Sequence, residues 1–322
     1  MANYLGSAAQ FALDHLNQRQ LHYSLLLSAL GLGYGSSWLN QSWSDEALNH
    51  GTTADFDWDK EIVLVTGGAG GIGGEIVLRM AQSGTRVVVL DVMELTYIPS
   101  SNIYYYQCDI TDHEALKRVA QRIRAEVGEP TVVVANAGIC RGKALLEETE
   151  HDVELTIGVN TLGLLWTVKT FLPSMVERNH GHVLIVASVT GYMGTARSVD
   201  YCASKAAAIS IYEGLHTEMK HVYKSPAVRI SCASPSLVQT KMFKGIKPVA
   251  GMVGSGMRPS FVAGKIADVL YSGKAQNLIL SRWALPPGIM RVLPQWMRVH
   301  VQDRAASSLE SLDPHNPMAS KL

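Results

Sequence analysis

The chain has 322 residues, 47% of them apolar and 17% charged, a balance that excludes disorder over most of the length because there is ample apolar surface to bury. Lysine plus arginine total 28 and aspartate plus glutamate total 28, so the chain lacks the basic excess of a generic nucleic-acid binder. Cys108, Cys140, Cys202 and Cys232 form no CxxC pair and no metal-ligand spacing with histidine; they read as small core residues in a reducing compartment, with no metal. The net zero hides an asymmetry. Residues 1–60 hold two basic and six acidic groups, and residues 241–298 hold nine basic groups against Asp268 alone.

Residues 20–44 carry no charged side chain. A spanning helix needs ~20 mostly apolar residues. The leucine-rich run Leu21–Leu39 is diluted by His22, four serines and three glycines. A membrane anchor or an in-plane interfacial helix is the preferred reading; a helix packed on the main domain is the alternative. A cleaved signal peptide fits less well, since the start lacks a basic region. Residues 40–60 are polar and acidic and read as a linker.

From residue 61 the pattern changes. EIVLVT (61–66) is a β-branched strand ending in glycines, and 71–84 has helical spacing with a glycine stop. TRVVVLD (85–91) and NIYYYQC (102–108) are strands, and 112–128 is an amphipathic helix. TVVVANAG (131–138) is the fourth strand. A long helical stretch over 150–179 contains Pro173 and leads to the fifth strand, HVLIVAS (182–188). A helix over 200–223, the strand VRISCAS (228–234), a helix near 259–272 and the strand NLILS (277–281) complete the series. Strands apolar on both faces and alternating with helices predict a doubly wound parallel α/β sheet of the Rossmann type, in one domain over 61–283 with about seven strands. Residues 1–60 stand as an N-terminal segment. Residues 284–322 stand as an extension that faces a membrane and then becomes flexible. A ligand belongs at the carboxyl ends of the strands.

The turn after the first strand reads TGGAGGIG, Thr66 to Gly73. Glycines let the backbone approach a pyrophosphate, and the following helix offers free N–H groups and a positive dipole end. Asp91 ends the second strand, where a carboxylate can bond the ribose hydroxyls of NAD and repel the 2′-phosphate of NADP. The turn holds no Arg or Lys to receive that phosphate, so NAD is favoured and NADP is the alternative.

Asn136 follows the fourth strand and Ser188 ends the fifth. Tyr201 and Lys205 stand four residues apart in YCASK and share one helix face. A neighbouring ammonium favours the phenolate of a tyrosine, which lets it exchange a proton near neutral pH. Together these groups fit proton transfer at a carbonyl or alcohol while a nicotinamide moves hydride.

These motifs carry a resemblance. Thr66-Gly67, Gly71, Gly73, Asp109, Asn136-Ala137-Gly138, Asn160, Ser188, Tyr201 and Lys205, with thirteen residues from Ser188 to Tyr201, resemble the short-chain dehydrogenase/reductase family over about 60–283. The resemblance implies Tyr201 as general acid/base, with Lys205 lowering its pKa and binding the nicotinamide ribose. It implies Ser188 orienting the substrate oxygen and Asn160 holding a water that links Lys205 to solvent. Thr66, Gly67, Gly71, Ile72, Gly73, Asp91, Asp109, Asn136, Ala137, Gly138, Val238 and Thr240 would contact the cofactor or shape its site. One departure stands out: Ser236 replaces the glycine that usually follows Pro235.

The stretch from Gly138 to Tyr192 looks like the family branch that acts on retinoids, steroids and other lipids. That branch implies an endoplasmic-reticulum or lipid-droplet membrane, with a cytoplasmic location as the alternative. Met242, Phe243, Met252, Met257, Trp283, Met290, Trp296 and Met297, in the basic region 241–298, fit a flexible apolar lid at a membrane interface, or else ordinary core residues under a basic surface. The leading expectation is an NAD-dependent oxidoreductase for an apolar alcohol or ketone. Its alternatives are a soluble NADPH-dependent ketoreductase and a catalytically silent dinucleotide-binding scaffold. A homodimer through the helices at 150–179 and 200–223 is implied by the resemblance.

Overall fold

The computed structural model describes residues 39–243, 256–281 and 287–309. The chain divides into two compact units, residues 1–47 and 48–322. In the first unit the described residues belong to a helix, α1, at residues 39–48, with Leu39 and Trp43 exposed. The candidate anchor at 20–44 lies outside the described residues up to residue 38.

The second unit is one α/β domain. Its seven strands are β1 (Ile62–Thr66), β2 (Arg86–Asp91), β3 (Ile103–Gln107), β4 (Val132–Ala135), β5 (His182–Val186), β6 (Arg229–Pro235) and β7 (Asn277–Leu280). They pair in the order β3-β2-β1-β4-β5-β6-β7, all parallel. The connecting helices are α2 (Gly71–Gln82), α3 (His113–Glu126), α4 (Glu150–Ile157), α5 (Leu164–Arg178), α6 (Val199–His221) and α7 (Pro259–Tyr271). The expected fold is the one found. Alternate residues of β1 serve two cores: Leu64 and Val88 meet Phe171 and Met175 on one face, and Val63 and Val65 meet Ile76, Met80 and Ile266 on the other. Two buried faces explain why these strands read as unbroken apolar runs.

The long helical stretch is interrupted. A π-helical turn, Gly158–Gly163, joins α4 to α5 and carries Asn160. Such turns are recurrent at functional sites. The apolar run Glu150–Arg178 has the length and composition of a membrane span, but half of it is buried within the fold, where it serves as a core helix.

Two boundaries differ from the sequence expectation. Residues 49–60 are not a free linker. The guanidinium of Arg229, 1% exposed, donates to the carbonyls of Asn49 (3.0 Å), Thr52 (2.6 Å) and Gly273 (3.2 Å). Phe56 and Trp58 then pack against the β-sheet core. Polar side chains hid this docking, because the contacts run through backbone carbonyls. The second difference is the C-terminal extension, which holds a helix, α8 (Gln295–Leu309). Pro294 does not break it, since proline is tolerated where a helix begins. Met290 buries against Met193 and Ala305. Arg291 donates to the carbonyl of Gly191 at 2.9 Å, and Gln302 to that of Gly194 at 2.9 Å. The extension is therefore seated on the loop between β5 and α6 through its described residues.

Candidate active site

A cavity of about 540 Å³ opens at the carboxyl ends of the strands, where the strand order reverses between β1 and β4. That reversal is where doubly wound sheets leave a crevice. Gly67, Gly71, Ile72, Asp91, Asp109, Asn136, Ala137, Gly138, Ser188, Tyr201, Lys205, Val238 and Thr240 line it. Thr66, Gly73 and Asn160 are not among its lining residues and act by holding the residues that are.

The glycine turn is shaped for a ligand. Gly67 and Gly71 take φ of +65° and +57°, which disfavours any side chain. A Cβ on Gly73 would strike the carbonyl of Gly67. No side chain caps the start of α2, and its first turn holds no acidic residue, so its leading N–H groups and positive dipole end face the cavity without an internal anion. These features fit the pyrophosphate of a dinucleotide. Thr66 ties the turn to β4: its Oγ1 accepts from the N–H of Asn136 and of Ala137, each at 3.1 Å. Asn136 returns Nδ2 donors to the carbonyls of Thr66 (3.0 Å) and Gly67 (3.1 Å).

Asp91 is held by the turn as well as facing the cavity. Its carboxylate accepts from Ala69 N–H and from Met93 N–H, each at 2.9 Å. The wall beside it is Val92, Met93, Glu94 and Thr96, which adds a carboxylate and no cation. Two residues that sequence reasoning missed close the turn from outside. Tyr97 donates to the carbonyl of Gly68 at 2.8 Å and Thr96 to that of Ala69 at 2.7 Å. No motif marks them; they matter because the loop after β2 folds back. Asp109 accepts from Thr111 N–H and Oγ1 at 2.8 Å each, fixing the turn into α3.

Ser188, Tyr201 and Lys205 meet in the opposite half of the cavity, all less than 10% exposed. Ser188 Oγ accepts from Thr190 Oγ1 at 2.9 Å and donates to the carbonyl of Pro235 at 3.4 Å. Burial pushes the Tyr201 phenol above its ordinary range, nearby Cys140 adds to that, and Ser188 opposes it. Lys205 lies with Nζ 5.8 Å from the Tyr201 ring centroid and donates to the carbonyl of Val186 at 2.9 Å. Burial lowers its pKa to about 8. Desolvation thus acts on both groups, pushing the phenol up and the ammonium down. Asn160 accepts from Ile139 N–H at 2.8 Å and donates to Ile139 O and to Ser204 Oγ, each at 2.9 Å. Its side chain thus pins the backbone after β4 to α6.

Ser236, the departure from the family pattern, does not take a positive φ. Its N–H donates to Leu280 O at 2.8 Å, so serine fits without strain. Val238 pairs with Met257 in a parallel bridge, and Thr240 stands over Gly71. Of the supposed lid residues, Met257 is core, 8% exposed. Met242 and Phe243 pack against Tyr201 and Cys140, the Phe243 ring edge-on at 6.0 Å. Met252 and Trp283 lie outside the described residues. Among the described basic residues, Lys265 pairs with Asp268 on α7, and Lys274 adjoins Ala275, which contacts Asn49 at the strand end remote from the cavity.

A sequence profile for short chain dehydrogenase matches residues 61–250. The chain belongs to the short-chain dehydrogenase/reductase family. It is similar to Dehydrogenase RED2 of Cochliobolus heterostrophus, 36% identical over 217 residues that cover 66% of this chain and 80% of that one. It is also similar to Epidermal retinol dehydrogenase 2 of Homo sapiens, 30% identical over 223 residues, 66% of this chain and 72% of that one. Among solved structures, serine dehydrogenase from Escherichia coli superposes with a TM-score of 0.58 at 26% identity, covering 68% of this chain and 96% of that one. As a family member the chain is an oxidoreductase acting on CH–OH groups with a nicotinamide dinucleotide.

Proposed function

We propose that this enzyme transfers hydride between NAD(H) and an apolar alcohol or ketone, with Tyr201 moving the proton. The observation that carries the substrate class is the apolar wall beside Tyr201. Cys140, Val189, Met193, Leu237, Met242 and Phe243 line that half of the cavity. A small polar substrate would leave this wall wet; an apolar one buries it, with ~25 cal/mol gained per Å². A relative named as a retinol dehydrogenase agrees with this class.

Preference for NAD rests on Asp91 and Glu94, two carboxylates that line the cavity together with the glycine turn. A 2′-phosphate there meets like charge. The uncapped start of α2 and Gly67, Gly71 and Ile72 hold the pyrophosphate; Asp109, Asn136, Ala137, Gly138, Val238 and Thr240 complete the cofactor wall. Thr66 and Gly73 keep that wall in shape.

NAD, held by the residues of that wall, would supply the hydride acceptor. Ser188 and Tyr201 hold the substrate oxygen between two hydroxyls. In oxidation the Tyr201 phenolate would receive the alcohol proton and become the phenol; in reduction the phenol would give that proton to the substrate oxygen. The Lys205 ammonium compensates the phenolate. Asn160 fixes Ile139 and Ser204, and so the spacing of Tyr201 from the cofactor wall.

The same reading makes the enzyme a homodimer through α4–α5 and α6. Leu162 is exposed, and the position of Gly214 on α6 is open. It also associates the enzyme with an endoplasmic-reticulum or lipid-droplet membrane. Exposed Ile289, Val292, Trp296 and Val299 near Arg298 support this. Flotation of the full chain with anionic liposomes tests it; recovery only in the soluble fraction overturns it. The activity itself is tested by offering NAD or NADP with retinol, steroid alcohols and small secondary alcohols. Turnover of the apolar alcohols with NAD is expected. NADP-linked turnover of compact substrates alone would refute the reading.

A further inference from the structure

We propose that Glu148 and Asp200 share a single proton and form a clamp that holds the first turn of α6, and Tyr201 with it, in its working position. The inference rests on the reading of Tyr201 as the proton-transfer group.

Asp200 stands in the first turn of α6, 4% exposed. Its Oδ1 accepts from the main-chain N–H of Tyr201 at 2.7 Å. Its Oδ2 and both carboxyl oxygens of Glu148 are sealed from solvent and meet no N–H or O–H donor. Two ionised carboxylates in that position would leave three acceptors bare and two like charges face to face, a costly arrangement. One proton removes the repulsion and leaves only one of those oxygens bare: the protonated carboxyl donates to its neighbour. The acidity of Glu148 agrees, pushed up to about 7 by burial, then by Asp200 and Asp152, with Lys143 opposing.

The surrounding charges do not replace that proton. Lys143 and Arg141, in the loop after β4, each bind Asp152 of α4 at 2.7 Å. Asp152 also caps its own helix through Thr149. Cys140, from the same loop, is a neutral thiol pushed up to about 12, chiefly by burial and then by Asp200. On α6 the neighbours are Tyr201 itself and the free thiol Cys202.

The clamp joins two segments, of which the second carries the cavity residue Tyr201. Glu148 sits just ahead of α4, and Asp200 lies in the opening turn of α6. While the proton is shared, the starts of the two helices are tied and Tyr201 faces Ser188. As pH rises through neutrality the proton leaves, the carboxylates repel, and the hold on the Tyr201 N–H slackens. Loss of positioning lowers turnover without touching the reacting atoms.

Three variants test this in the full chain: Glu148→Gln, Asp200→Asn and Glu148→Ala. In the wild type an infrared band of a protonated carboxyl is expected at about pH 6 and is lost by about pH 9. It is absent from Glu148→Gln and Asp200→Asn, whose amides donate permanently. With NAD and retinol, or a steroid alcohol if retinol is not turned over, Glu148→Gln keeps kcat/KM within about twofold of wild type at low pH and removes the alkaline fall. Glu148→Ala loses about tenfold in kcat/KM at low pH, where the wild-type clamp is closed. Absence of the band in the wild type, or wild-type kinetics in Glu148→Ala, overturns the clamp. A band that titrates in a protein that oxidises no alcohol leaves the shared proton standing and refutes the proposed activity instead.

Discussion

Lys205 donates to the main-chain carbonyl of Val186 at 2.9 Å, across the turn from α6 to the end of β5. The bond fixes an ammonium inside the cavity wall, where water cannot solvate it. Burial lowers its pKa from the ordinary 10.5 to about 8. The sign of the linkage follows. Between about 8 and 10.5 the unfolded chain holds this proton and the folded chain does not, so the Lys205 contribution to stability rises with pH in that window. Below it, the buried charge destabilises the fold.

Lys205→Met therefore separates function from stability. The variant is expected to lose turnover and to melt about 2 °C or more above the wild type near neutral pH. The advantage shrinks as pH rises above 8. Melting curves at several pH values check this; a variant that melts lower at neutral pH would contradict it.

Asp91 binds two backbone N–H groups of the cofactor turn, Ala69 and Met93. Asp91→Asn removes the charge and keeps one acceptor. Its NAD-to-NADP ratio of kcat/KM is expected to drop by about tenfold or more. Asp91→Ala also loosens the turn, so its NAD affinity falls further. An unchanged ratio in both variants would remove Asp91 from ribose recognition.

Arg229 joins β6 to residues 49–52 and to Gly273 with its guanidinium fully buried. Arg229→Ala removes the donor to the Thr52 and Gly273 carbonyls and one donor to that of Asn49. A loss of about 3 kcal/mol or more is expected in denaturant unfolding, together with proteolysis between residues 48 and 60. Resistance equal to the wild type would restore the linker reading of that stretch.

Ser236→Gly supplies the residue usual in the family. Because Ser236 already has an ordinary φ, glycine offers no relief and adds unfolded-state entropy. A small loss of stability, about 0.5 kcal/mol, and unchanged KM for NAD are expected. A clear gain in cofactor affinity would mean the serine strains the site.

The strands and the cofactor turn were legible because their cause is local. Val63, Val65, Val87 and Val89 must be apolar between two helix layers, and in the cofactor turn glycines stand where φ is positive, at Gly67 and Gly71, or where a Cβ would collide, at Gly73. Ser188, Tyr201 and Lys205 were legible through fixed spacing at a strand end and along a helix face. What stayed hidden depends on contacts far apart in sequence and made through backbone atoms. Arg229 reaches Asn49 and Thr52, and Tyr97 reaches the Gly68 carbonyl. The Glu148–Asp200 pair was hidden for another reason, since both carboxylates look solvated until burial is known. The seat of α8 stayed hidden because it is made by Met290 against Met193 and by Arg291 and Gln302 to the carbonyls of Gly191 and Gly194, about a hundred residues away.

The central claim is that Tyr201 carries the proton in NAD-linked oxidation of an apolar alcohol. The most direct measurement compares wild type with Tyr201→Phe in one experiment: NAD binding by titration, and reduced-cofactor formation with the apolar alcohol. The account predicts binding within about twofold of wild type and turnover lower by ~10³-fold or more, since the phenol is buried against Ser188. Wild-type turnover in Tyr201→Phe would contradict it and move the proton to another group.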